Sequence, residues 1–188
     1  TQGMDTLKGL LKFYGCIIFA CVIQYFIFGI MISLFARVSP LPFFKKCLGY
    51  QSIAFATTSS KAALGTAIRI AQEKLGISKT SSSFLIPMGA TLNMDGFAIY
   101  LGMSGVFIAQ ALGKTMGLYD YGILMLMSTL GTIGGAGIPG GALVVLPMIL
   151  SALGLPLEAV AVIAGIDRLI DPFTTTINIT GDVAVTLC

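Results

Sequence analysis

The chain has 188 residues, of which 56% are hydrophobic and 10% charged, and its net charge is +3. A soluble domain carries about 25% charged residues and has nowhere to hide this much Leu, Ile, Val, Phe and Met, so the composition excludes a soluble globule and implies lipid as the solvent. The small net charge argues against a nucleic-acid partner. Cys16, Cys21, Cys47 and Cys188 lack CxxC or zinc spacing and have no histidine to help them, so they read as packed or free thiols.

Residues 1–12 lack the apolar core and cleavage site of a secretory signal. A membrane-crossing helix needs about 20 apolar residues. The first candidate is a transmembrane helix over 4–37, with its apolar run at 10–35. The second apolar segment, 48–72, is interrupted by "TTSSK" at 57–61. Its flanking connections are basic: 36–47 holds Arg37, Lys45 and Lys46, and 69–79 holds Arg69, Lys74 and Lys79 against Glu73. The positive-inside bias puts both on the cytoplasmic side, so this segment enters and returns as a re-entrant hairpin.

The third segment, 81–112, is long enough to cross but carries "LNMDGF" at its centre, 92–97. The fourth, 119–153, breaks at "GGAGIPGG", 134–141. Connections 113–120 (Lys114, Asp120) and 154–158 (Glu158) are neutral or acidic and belong outside, so the fourth segment re-enters from the opposite face. Lys8 and Lys12 run against this pattern, because they start the first helix on the outer face. Close packing through small residues accounts for some of Gly134, Gly135, Gly137, Gly140 and Gly141. It does not account for Pro139, which removes a donor and breaks a helix.

The last segment, 157–186, is a helix with a polar stripe. At about 100° per residue, Asp167, Asp171, Thr174, Thr175, Asn178 and Asp182 share one side, with Arg168 at its border. Asp167 and Arg168 suit a structural ion pair; Asp171, Asn178 and Asp182 do not reduce to one. An intramembrane charge costs at least about 2.5–3.5 kcal/mol and marks a functional site by default. Counting Asp95, Asp167, Asp171 and Asp182 against Lys61 and Arg168 leaves surplus negative charge inside. Protons or metal cations must balance it. Asp95, Asn93 and the carbonyls of Gly89 and Thr91 offer oxygen ligands, which suit a hard cation. The expected fold is all-α and membrane-embedded: transmembrane helices plus two oppositely oriented re-entrant hairpins, whose broken tips meet near the midplane as in secondary transporters.

On "TTSSKAAL" (57–64), "PMGATLNMDG" (87–96), "GGAGIPGG" (134–141), "GIDRLID" (165–171) and "TTTINITGD" (174–182), the chain resembles the C-terminal half of the dicarboxylate/amino acid:cation symporters, the glutamate-transporter-like family. The motifs occur in the family's order and cover nearly the whole chain. The resemblance implies an elevator-type transport core in the cell membrane, in contact with lipid, with an amino acid as substrate and sodium as coupling ion, protons being the alternative. It also implies a homotrimer formed by scaffold helices that have no counterpart in these residues. It implies one sodium held by Asn178, Asp182 and the carbonyls of Gly89 and Asn93. A second would sit among the carbonyls of Thr91, Thr132, Ile133 and Gly135. A third would involve Asn93 and Asp95. Ser60, Asn178 and the backbone near Ile138 and Gly140 would grip the substrate α-carboxylate, and Asp171 the ammonium, with Thr175 nearby.

The departures concern the substrate. Acidic-amino-acid members place an arginine where this chain has Thr174 and a threonine where it has Phe97. Losing a bidentate arginine removes the natural partner of a carboxylate. The expectation is therefore sodium-coupled symport of a neutral amino acid. The alternative is an acidic amino acid or dicarboxylate coupled to sodium or protons, with Lys61 tethering Asp171 or binding the anion. An intramembrane aspartyl protease built on Asp120 and Asp182 is disfavoured, since Asp120 lies in a connection. A passive channel leaves the opposed hairpins unexplained. No covalent chemistry is expected.

Overall fold

The computed structural model describes residues 2–135 and 140–188, and every regular element among them is helical. The first helix, α1, spans Gln2–Met31 and continues as a π-turn over Ile32–Ala36, which ends at Arg37 in the left-handed conformation (φ 55°). The second, α2, spans Pro40–Thr57, and α3 spans Ser60–Glu73. They are packed neighbours joined at Thr58 (φ 50°) and Ser59, whose hydroxyl accepts from the Ala62 amide at 3.4 Å and caps α3. This pair begins eight residues earlier than the expected 48. Ser39 and Pro40 form a helix start, with Pro at a position where a missing N–H costs nothing. Lys45 and Lys46 therefore sit on a helix rather than in a connection, and Lys46 Nζ donates to the Lys74 carbonyl at the end of α3 (2.7 Å).

The third segment is two helices, α4 (Lys79–Leu92) and α5 (Asp95–Ala111), separated at Asn93 and Met94. The fourth is α6 (Leu118–Gly134) and α7 (Gly141–Ala152). Gly140 has φ 74°, a left-handed conformation open to glycine, and starts α7. Residues 136–139, with Ile138 and Pro139 among them, lie outside the described residues. The connection before α6 is closed by Lys114, which pairs with Asp120 (3.4 Å) and donates to the Leu153 carbonyl. The Gly117 amide, donating to Asp120, holds that carboxyl below the usual carboxylate range, with Lys114 adding to the effect.

The last helix, α8 (Val160–Leu187), is the axis of the molecule. It packs against α1, α2, α3, α4, α5 and α7. Every residue from 174 to 184 is buried, the apolar back (Ile177, Ile179, Val183) as fully as the polar stripe. A helix buried on all sides needs no lipid-facing side, and α8 has none over this stretch. By contrast α1 and its π-turn leave Phe19, Phe26, Leu34 and Phe35 more than 65% exposed. The stretches Leu7–Ala36 and Lys79–Ala111 are each long and apolar enough to cross a bilayer. An apolar surface of this kind on the outside and carboxylates on the inside invert the order of a soluble protein.

Candidate functional site

The polar stripe of α8 meets the break between α4 and α5. Asn178 is buried, and its Oδ1 accepts from the amides of Gly96 (2.8 Å) and Phe97 (3.2 Å). These are free amides in the first turn of α5, so a side chain from α8 satisfies donors that no intrahelical carbonyl can reach. With Oδ1 committed, the two amide N–H donors of Asn178 have no partner among the described residues. Gly96 permits this approach: a Cβ there would collide with the Thr174 carbonyl oxygen.

One turn along, Asp182 lies against the end of α4. Its Oδ1 accepts from Asn93 Nδ2 at 3.4 Å, and a Cβ on Gly89 would meet the same oxygen at 2.5 Å. Its Oδ2 is buried with no partner among the described residues. Asp95 closes the same corner, since a Cβ on Gly181 would lie 2.9 Å from Asp95 Oδ2 and 3.2 Å from Asn93 Nδ2. Thr91 is exposed near the end of α4, its hydroxyl turned back to the Met88 carbonyl. Thr132 is buried and bonds back to Thr129, Ile133 is exposed, and Gly135 caps α6. The last carbonyls of α4 and α6 are the negative ends of two helices that touch each other.

Higher on α8, Asp171 is half-buried. Its Oδ1 accepts from Thr175 Oγ1 at 3.1 Å, and its Oδ2 from the Gly140 amide at 3.5 Å, which brings the start of α7 to the stripe. Thr174 is buried and donates to the Asp171 backbone carbonyl. Pro172, lacking an N–H, leaves a helix carbonyl of the preceding turn without its usual partner. Phe97 is buried against the end of α6: a Cβ on Gly135 would stand 2.6 Å from its ring. Ser60, the first residue of α3, is buried with its hydroxyl unpartnered among the described residues. Ile138 lies outside the described residues.

Two expectations are corrected here. Asp167 does not pair with Arg168: it accepts a hydrogen bond from Tyr100 Oη at 2.9 Å, and Arg168 is exposed. Lys61 does not tether Asp171; it too is exposed, one residue beyond buried Ser60. The ion pair among the described residues is Lys114–Asp120, at a connection. The interior thus holds Asp95, Asp167, Asp171 and Asp182, none of them in an ion pair among the described residues. Sequence reasoning missed Tyr100, whose place in an apolar run reads as core. It also missed Gln51 on α2, whose amide donates to Thr180 (2.9 Å) and to Tyr25 (3.4 Å) and so ties α1, α2 and α8 together.

A chain that is helical in every regular element among its described residues, apolar outside and holding carboxylates inside, is built as a membrane protein. Residues 1–188 match the model of the sodium:dicarboxylate symporter family, and the chain belongs to that family. It is an integral membrane protein of a transporter family, not an enzyme. It is 34% identical to the neutral amino acid transporter B(0) of Oryctolagus cuniculus over 184 residues, 95% of this chain and 34% of that protein. The neutral amino acid transporter A of Homo sapiens gives 34% over 184 residues, 95% of this chain and 35% of that protein. The B(0) transporter of Mus musculus gives 33% over the same length, 95% of this chain and 33% of that protein. The chain spans about a third of the length of these curated relatives.

Proposed function

We propose that this chain is the transport core of a sodium-coupled symporter for a neutral α-amino acid. The observation that carries the reading is an interior with four carboxylates, none of them in an ion pair among the described residues. Such a site attracts sodium and an ammonium group. It offers a second substrate carboxylate nothing to pair with, and an unpaired buried charge is costly.

Asp182 Oδ2, unpartnered among the described residues and beside Asn93 and the Gly89 backbone, is one sodium corner, completed by the Asn178 backbone. A single carboxylate among neutral oxygens balances a monovalent cation. The carbonyl ends at Thr91, Thr132, Ile133 and Gly135 form a second, and Asn93 with Asp95 contributes to a third. Asp171, with Thr175 beside it, binds the substrate ammonium. The free N–H groups of Asn178, the Ser60 hydroxyl and the backbone about Ile138 and Gly140 bind its carboxylate. Thr174 and Phe97 face the substrate side chain. The pairs α2–α3 and α6–α7 are the two re-entrant hairpins, and the whole moves as one elevator against a trimeric scaffold supplied by the remainder of the parent protein.

The test is uptake by the full-length parent in proteoliposomes under a sodium gradient, with competition by all twenty amino acids. Alanine or serine should compete strongly and aspartate weakly, and uptake should collapse without sodium. Thr174→Arg should shift preference toward aspartate and glutamate, because a charge-assisted hydrogen bond recovers roughly 1.5–3 kcal/mol. Sodium-independent uptake sinks the coupling. A parent that already prefers aspartate sinks the neutral reading and points to Lys61, next to Ser60, as the anion's partner.

A further inference from the structure

Two carboxylates stand one turn apart on α8, and they are treated differently. Asp171 is half-buried and its two contacts come from a hydroxyl and a distant amide, at 3.1 and 3.5 Å. Asp167 is 2% exposed and is met from α5 by Tyr100, itself 2% exposed, whose hydroxyl donates at 2.9 Å. Arg168 beside it is exposed and forms no ion pair among the described residues. Tyr100 lies one turn beyond Phe97 on α5, as Asp167 lies one turn before Asp171 on α8. The bond is therefore next to the pocket but outside its proposed contacts.

A buried carboxylate near a site that collects cations is a competitor for the substrate ammonium. Left without a donor, it would draw the nearest positive charge, because an unsatisfied buried acceptor is costly and a charged one more so. We infer that the Tyr100 hydroxyl occupies Asp167 and so reserves the ammonium for Asp171, making Tyr100 a specificity-determining residue that does not touch the substrate. This rests on the reading of Asp171 as the ammonium site. A tyrosine suits this role, since its ring fills apolar space between α5 and α8 while its single polar atom reaches the buried carboxylate.

The test uses the full-length parent and three variants, with uptake rate measured against both substrate and sodium. Tyr100→Phe removes the hydroxyl and keeps the ring. It should raise KM for the amino acid by about tenfold while kcat changes by less than about twofold, the pattern of a binding defect. Its sodium half-saturation should stay at the parental value. Asp167→Asn still accepts from Tyr100 but carries no charge, so its KM should remain within about twofold of the parent. In the double variant Tyr100→Phe with Asp167→Asn no competing charge remains, and KM should recover to within about threefold of the parent.

A silent Tyr100→Phe overturns the inference. So does a loss in Asp167→Asn equal to that in Tyr100→Phe, which would make Asp167 a binding carboxylate in its own right. A double variant as poor as Tyr100→Phe overturns it too, since the hydroxyl would then serve packing alone. If Tyr100→Phe fails to reach the membrane, Tyr100→Leu, which also lacks the hydroxyl, takes its place: the same rise in KM is expected, and a silent variant overturns the inference. A parent that takes up no amino acid overturns the reading of Asp171, and the inference with it. A parent that transports normally while the variants behave otherwise overturns the inference alone.

Discussion

At the scale of single residues, what matters is which polar atoms are spoken for. Asn178 commits its oxygen to the start of α5 and its N–H groups have no partner among the described residues, so it presents donors, which suits an anion. Asp182 is the converse: one oxygen is held by Asn93 and the other has no donor among the described residues. Asp182→Asn would replace that acceptor by an amide and remove the charge. Sodium half-saturation should rise by about tenfold or more, because contacts to a charged group are worth about 1.5–3 kcal/mol and about 1.4 kcal/mol is tenfold. Titrating substrate binding with sodium in the purified parent and variant measures this. An unchanged half-saturation would remove Asp182 from the sodium site.

The stripe itself was legible, because helical period alone puts Asp171, Thr174, Thr175, Asn178 and Asp182 on one side. The fate of each atom was not. Asn178 caps a helix 81 residues away in sequence, and no local pattern announces a partner at that distance. Charged side chains misled in the same way. Lys61 and Arg168 sit in apolar runs and count as interior on sequence, whereas the backbone turns both outward. Long stems of this kind lie along apolar surface and keep the charge outside.

At the scale of elements, the breaks were easier to read than the starts. Asn93 with Asp95, Gly96 and the glycine run at 134–141 interrupt helices for reasons of backbone chemistry, and helices do end there. The start of α2 was misplaced because lysines suggest a connection, yet Lys46 serves as a cap for α3. The tightest junction is between α5 and α8, where Gly96 lies against the Thr174 carbonyl. Gly96→Ala cannot be absorbed by a side-chain shift, because the obstacle is backbone. Overpacking of this kind costs about 1–3 kcal/mol. A lowered midpoint of thermal unfolding in detergent is expected, and Gly65→Ala, with open space around it, should not lower that midpoint.

At the scale of the whole molecule, α8 is the central helix, with a polar stripe and an apolar back. Packing against six other helices buries both, and the exposed apolar surface falls to α1 and the outer faces of α2 and α6. Phe19, Phe26, Phe35 and Leu118 are each more than 65% exposed. Expressed as this chain, the protein should stay in the membrane fraction through alkaline carbonate extraction. Release into the supernatant would contradict a lipid-embedded chain.

The contacts between α5 and α8 work as a key with three teeth: Asn178 on the amides of Gly96 and Phe97, the Gly96 backbone on Thr174, and Tyr100 on Asp167. Sliding one helix past the other by a single residue, or turning it by a quarter, would disengage all three at once. These two helices are therefore locked together, and on the proposed reading no path to the pocket would open by parting them. Access must come from a partner held more lightly. The pair α6–α7 is such a partner: among the described residues, its hydrogen bond to α8 is the 3.5 Å contact from the Gly140 amide to Asp171, the carboxylate proposed for the substrate ammonium. On the proposed reading an arriving ammonium would take that carboxylate over from the amide, so the bond linking door to frame would be the one the guest replaces.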